Sequence, residues 1–327
     1  MLIYGTLHTI MTRSQALVAI HIAAVLFGLT GIFGELIQAD ATVITAGRAG
    51  FAVVALALVG RSAGTSVWRT ARSRDIPILV TAGAMLAIHW VTFFIAVKVG
   101  GVALATLGFA SFPAFITLGE HFVLKERASR DEWLILALVS IGLLLVTPSF
   151  DYTDQATVGL AWGVLSGFTF ALFTLINRRV ASRMPARNIA CWENLIVLIL
   201  TLPFAASGFA QLDALNWFWI ALLGVFCTAL SHFLLVASMM VLNARSAGIV
   251  IALEPVYAIA FAAILFAQYP SLRALFGGAL MIAAIVWSGL RKTDGGSGKT
   301  PDAGPASLAT DMPAHHPGGR SGSQELR

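Results

Sequence analysis

Glu254 and His89 are the ionisable residues whose surroundings most invite chemistry, because each is embedded in an otherwise apolar run. A charge at the centre of a bilayer costs about 2.5 to 3.5 kcal/mol even on lenient insertion scales, so such a residue needs a partner or a cavity. At about 1.5 Å of rise per residue, Glu254 falls about 12 Å and His89 about 18 Å from the same end of their runs, near the midplane. Glu254 precedes Pro255, whose missing N–H loosens a helix locally. A carboxylate there can bind an ammonium group or carry a proton, and histidine can carry protons near neutral pH. Trp90 offers an aromatic wall or a cation–π surface beside His89. A shift of 142 residues aligns His89-Trp90 with Ser231-His232, so His232 joins the candidate substrate or ion site, while His21 is a weaker candidate. No two histidines within a run are spaced at i, i+3 or i+4, so no metal site is expected, and no cofactor is expected either.

The elements that must position these residues are membrane helices. Of 327 residues, 58% are hydrophobic and 11% are charged, against about 25% charged in soluble domains. Mean hydropathy is +0.84. A water-soluble enzyme is excluded on that ground, and the net charge of +5 points to membrane orientation rather than nucleic acid, because the basic residues flank apolar runs. Ten runs are long enough to be spans. The fourth covers Val102 to Leu124, the eighth Trp217 to Leu242 and the ninth Ala247 to Ala267, whereas the fifth, Trp133 to Val146, is short. Cys191 and Cys227 lie far apart in apolar stretches and imply no disulfide framework.

The expected organisation is a cytoplasmic segment over 1–13, five-helix repeats over 14–147 and 148–291, and a disordered tail over 292–327, rich in Gly, Pro and Ser. The N-terminus lacks the basic region of a signal peptide, and Met11 is an alternative start. With both termini inside, twelve Lys and Arg residues fall in inner loops and two, Lys98 and Arg273, in outer ones, which orients the chain N-in and C-in. GSGKT at 296–300 lacks the first glycine of a phosphate-binding loop at Thr293 and is set aside.

The 142-residue shift also places Pro113 on Pro255, marking both as helix-breaking positions in the fourth and ninth spans. Five spans per half give the halves opposite orientations, the inverted-repeat architecture of secondary transporters with a midplane site. Similar shifts place Glu35 on Arg178 and Arg48 on Glu193. These four are expected to form Glu35–Arg48 and Arg178–Glu193 latches near opposite membrane faces.

FPAFITLGEHFVLKER (112–127), the following SIGLLLV, and the second-half LEPVYAIAFAAILFAQYPSLRALFGGALMIAAIV together resemble the EamA family of the drug/metabolite transporter superfamily, over about residues 14–291. The resemblance implies two five-helix repeats and carrier-mediated transport, commonly export of small metabolites. A glutamate usually closes the fourth and ninth spans in that family; Glu126 matches the first, and Gln268 occupies the second. The expectation is an all-α integral membrane protein of the bacterial inner membrane. It exports or exchanges a small organic metabolite, amino-acid-like or related, by alternating access, with protons as a candidate coupling ion. A multidrug or cationic-compound exporter is the alternative within transport; a membrane-embedded enzyme or a non-transporting subunit is the alternative outside it.

Overall fold

The computed structural model describes residues 11–62, 64, 66–68, 71–125, 130–148, 151, 153–177, 184–239, 241–242, 250–251 and 253–290. Glu126, Arg178 and the tail from 292 lie outside these described residues. The protein is all-α, with ten spans in two repeats. In a bilayer no water is available to backbone amides, so each span closes its hydrogen bonds within itself.

Helix α1 (Arg13–Leu36) starts at a capping box in which the Thr12 hydroxyl accepts from the Gln15 N–H and the Gln15 side chain accepts from the Thr12 N–H. Then follow α2 (Ala41–Ser62) and α3 (Ile76–Phe109), the latter holding the third span and the start of the fourth. The two parts of α3 meet at Gly101, whose φ of 80° and ψ of 165° suit glycine alone. The fourth span is therefore not continuous from Val102 to Leu124. It pauses at Ala110 and Ser111 and resumes as α4 (Phe112–Phe122), with Pro113 in the first turn, where its absent N–H costs nothing. The ninth span behaves alike: α10 (Glu254–Phe266) begins with Pro255 in its first turn. Both prolines thus start a helical piece rather than kink the middle of one.

Between these come α5 (Arg130–Val146), α6 (Gln155–Asn177) and α7 (Ala186–Phe209). Helix α5 begins at Arg130 rather than Trp133 and so reaches 17 residues, about the lower limit for a span. The eighth span is α8 (Ala214–Gly224), a π-helical stretch (Val225–Leu230) and α9 (Ser231–Met239); α11 (Leu272–Leu290) closes the bundle.

Packing repeats across the halves. Helix α1 packs on α9 and α10, and its counterpart α6 packs on α3 and α4; α2 meets α7, and α5 meets α11. Exchanging the halves leaves this pattern unchanged, as an inverted repeat requires. Lipid tails are as apolar as leucine, so close contact rather than hydrophobic burial holds the helices together. Gly28 shows the need: a Cβ there would stand 3.0 Å from Tyr257 Cβ and 3.1 Å from the Glu254 carbonyl oxygen. Its missing side chain lets α1 lie directly on the first turn of α10, where Glu254 begins.

Candidate functional site

A cavity of about 210 Å³ opens between the halves. Its lining includes Glu254, His89, Trp90 and His232, and also Arg48 and Glu193. Toward one end it reaches Leu56 near the end of α2, Ala190 near the start of α7 and Ile251 just before α10. That is the end of the bundle at which α1 starts.

Arg48 stands 4% exposed on α2. Its guanidinium carbon lies 3.8 Å above the centre of the Trp90 ring and 5.6 Å from that of Phe94. Its Nε and Nη2 donate to Thr228 Oγ1 at 3.1 and 2.9 Å. The Thr228 hydroxyl in turn donates to the Leu223 carbonyl, five residues earlier, at 3.0 Å. Thr228 itself lies in the π-helical stretch, a form that recurs at functional sites. A planar guanidinium that stacks on an aromatic ring and forks onto a hydroxyl is held in one orientation. Trp90, expected as a wall for substrate, thus carries an internal cation on its face.

His89 is bound on one side. Its Nδ1 lies 2.7 Å from Ser166 Oγ and 3.1 Å from the Ser166 carbonyl oxygen, while the Ser166 hydroxyl donates to the His89 carbonyl at 3.1 Å. A carbonyl can only accept, and the hydroxyl proton is already placed, so the geometry assigns the ring proton to Nδ1. Nε2 is left as an acceptor. Phe109 and Phe170 flank the ring, with centroids 5.1 and 5.0 Å away.

Two carboxyl groups complete the set. Glu254 opens α10, and Arg48 is close enough for their charges to interact. Glu193 on α7 is 3% exposed, next to Asn194 at 5%. Thr228 and Asn194 are site residues that the sequence reading missed. Uncharged polar residues are common within these spans, and nothing in the sequence marks these two.

The expected Glu35–Arg48 latch is not made in this structure. Arg48 is seven residues into α2, about 10 Å deeper than its start, while Glu35 sits in the last turn of α1. The depths do not match. Arg48 turns to Trp90 and Thr228, and Glu35 Oε1 accepts from Gln268 Nε2 at 3.5 Å. Glu193, seven residues into α7, lines the same cavity as Arg48. Arg178 lies outside the described residues.

Around Glu35 a polar network closes the other end of the bundle. Lys98 Nζ donates to the carbonyls of Glu35 and Ile37 at 3.2 and 2.6 Å, where α1 ends. Gln268 Oε1 accepts from the Val102 N–H at 2.9 Å, a donor that the Gly101 break frees from its helix. The Gln38 N–H donates to Asn216 Oδ1 at 2.6 Å. Glutamine suits position 268 because its oxygen takes the amide proton while its NH₂ faces a carboxylate; a glutamate would set two carboxylates together. Gln268→Ala is expected to leave Val102 without its donor's partner, at about 1 to 3 kcal/mol, and to loosen this closure. The checks are a lower thermal midpoint and faster labelling of a cavity cysteine from this end.

The profile of the EamA-like transporter family matches residues 14–147 and again 157–290. Among curated relatives, the chain is 30% identical over 192 residues to the uncharacterized transporter YwfM of Bacillus subtilis (strain 168), covering 56% of this chain and 62% of that one. It is 24% identical over 162 residues to the pseudopaline exporter CntI of Pseudomonas aeruginosa (strain UCBPP-PA14), covering 50% and 55%. These alignments span roughly half to two thirds of those relatives' lengths. An uncharacterized transporter of Archaeoglobus fulgidus is 25% identical over 269 residues, covering 82% of this chain and 94% of that one. A solved crystal structure shares the fold, with a TM-score of 0.58 at 17% identity over 84% of this chain and 98% of that one. With both repeats matched, the chain belongs to the EamA-like transporter family and is a multi-pass membrane protein.

Proposed function

We propose that this protein is a secondary-active transporter, an exporter or exchanger of a small organic metabolite, amino-acid-like or related. It works in the bacterial inner membrane by alternating access, with both termini cytoplasmic. The observation that carries the reading is the meeting of Arg48 and Glu254 in one cavity between the halves. Substrate binds there against Trp90, His89 and His232, and Glu254 is the group that exchanges a proton. A charged pair exposed to a cavity is an unstable way to fill a membrane interior unless a ligand or ion uses it. The relative named as an exporter supports the outward direction. Arg48 weighs against the rival reading of a cationic-compound exporter, which would need an anionic cavity without a fixed cation.

Lys and Arg loop counts orient the chain so that the Glu35–Gln268 network faces outward and the cavity's other end faces the cytoplasm. The test uses a Cys191→Ser, Cys227→Ser background and a membrane-impermeant thiol reagent. From outside, Asp213→Cys is expected to react and Arg72→Cys not. A cysteine at Ile251 is expected to react from the cytoplasmic side in inside-out vesicles. The reverse pattern exchanges inside and outside throughout.

A further inference from the structure

The eighth span holds the one π-helical stretch among the described residues, Val225–Leu230, and the buried guanidinium of Arg48 is bonded to it. A π-helical turn closes i→i+5 rather than i→i+4 bonds, so it absorbs one extra residue, and it is rare inside α-helices. Here a side chain favours it. The Thr228 hydroxyl gives its single proton to the Leu223 carbonyl, five residues back, at 3.0 Å. Its oxygen takes both N–H groups of Arg48, at 3.1 and 2.9 Å. The widened turn and the cavity's cation therefore share one hydroxyl.

The repeat shows that the same unit also exists without the widened turn. The 142-residue shift places Val225–Leu230 on Gly83–Ile88, within the regular part of α3. The two registers differ in what they present. His89 and Trp90 both line the cavity from α3, whereas of their counterparts Ser231 and His232 only His232 does, and Ser231 is fully buried. Relaxation of the stretch to α-helix turns whatever lies beyond it by one residue, about 100°, and advances it about 1.5 Å. Helix α8 is held at its start, where Asp213 caps it and Asn216 accepts the Gln38 N–H in the outer network. The piece free to turn is α9, which packs on α1. On turning, each of its residues takes the place that its successor held, so Ser231 replaces His232 and Leu234 replaces Leu235.

We propose that Val225–Leu230 is a register switch. The Arg48–Thr228 fork holds it in the π form; when a cavity ligand draws the guanidinium off Thr228, the stretch relaxes to α-helix and turns α9 against α1. This rests on the reading of the cavity as the substrate site and adds the element that carries occupancy of Arg48 to the far end of the span. The coupling runs both ways, so any change that turns α9 also frees Arg48 for a ligand.

The test needs no substrate. Leu234→Cys and Leu235→Cys are made singly in the Cys191→Ser, Cys227→Ser background, and the purified full chain in detergent is treated with a membrane-impermeant thiol reagent. Leu235 lines the cavity and Leu234 is not among its lining residues. With Thr228 intact, Leu235→Cys is expected to react at least about tenfold faster, because a thiol turned away from the cavity waits on local opening. Thr228→Val keeps the shape and removes the hydroxyl, and is expected to reverse the order. Arg48→Met cuts the same bond from the other side and is expected to reverse it too, whereas Thr228→Ser keeps the wild-type order. A packing role for Thr228 would change both rates together without exchanging them. Monodisperse elution and a cooperative thermal transition show which variants are folded. The proposal is overturned if the two cysteines react alike with Thr228 intact, or if Leu235→Cys stays the faster in either folded variant. It is equally overturned if neither variant folds, since a switch requires both registers to be stable. An unexchanged order in a protein whose cells still export metabolite retires the switch and leaves the transport reading standing.

Discussion

Replacing Arg48 with methionine is expected to reduce transport about a hundredfold, the largest effect of any single substitution in the cavity. Removing a buried guanidinium costs the hydrogen bonds it donates, about 1.5 to 3 kcal/mol for a bond to a charged group, and strands the charge it faces. Here that charge is Glu254. Thr228 also loses the guanidinium fork and Trp90 the cation on its face. Arg48→Lys keeps the charge but cannot fork onto Thr228 or stack in the same way, so it is expected to fall between wild type and Arg48→Met. Efflux from cells carrying equal amounts of each variant in the membrane checks the order. Wild-type efflux in Arg48→Met would remove the cavity from the mechanism.

Glu254→Gln is expected to have the second largest effect. Glutamine keeps the shape of the side chain at the start of α10 but can neither carry the charge that faces Arg48 nor take and release a proton. Flux driven by a proton gradient should be lost and the pH dependence of any residual exchange flattened, with the protein still in the membrane at wild-type level. Proteoliposomes with an imposed pH gradient, loaded with a mixture of free amino acids, provide the measurement. Unchanged rate and pH profile would assign coupling to another group. The double substitution Arg48→Met, Glu254→Gln is expected to be more stable than Arg48→Met alone, because it removes the stranded carboxylate.

What could be read from the sequence was whatever depends on apolar length, depth and charge. Ten spans followed from the apolar runs, and 1.5 Å per residue brought Glu254 and His89 to the same depth before any contact was known. The same arithmetic, applied to Arg48 and Glu193, would have argued against latches at the two faces, since both lie seven residues inside their helices. The exchange of charge signs between repeat-related positions carries no information about depth. The break at Gly101 had a signal in the Gly100-Gly101 pair, but an apolar count reads straight through glycine. The π-helical stretch that presents Thr228 to Arg48 had no signal, because VFCTAL differs in no compositional way from an α-helical span. Gln268 stood out only as a departure from an expected glutamate. Its reason became visible once the freed Val102 N–H and the Glu35 carboxylate were seen on its two sides.

Comparison of small organic compounds in medium and cytosol tests the central claim most directly. The cells to compare lack the chain, overproduce it, or overproduce Arg48→Met at equal membrane abundance. The account predicts at least one small organic compound that accumulates in the cytosol of the deletion strain and in the medium of the overproducer, with Arg48→Met behaving like the deletion. Identical profiles in all three, or release by Arg48→Met at the wild-type level, would contradict it.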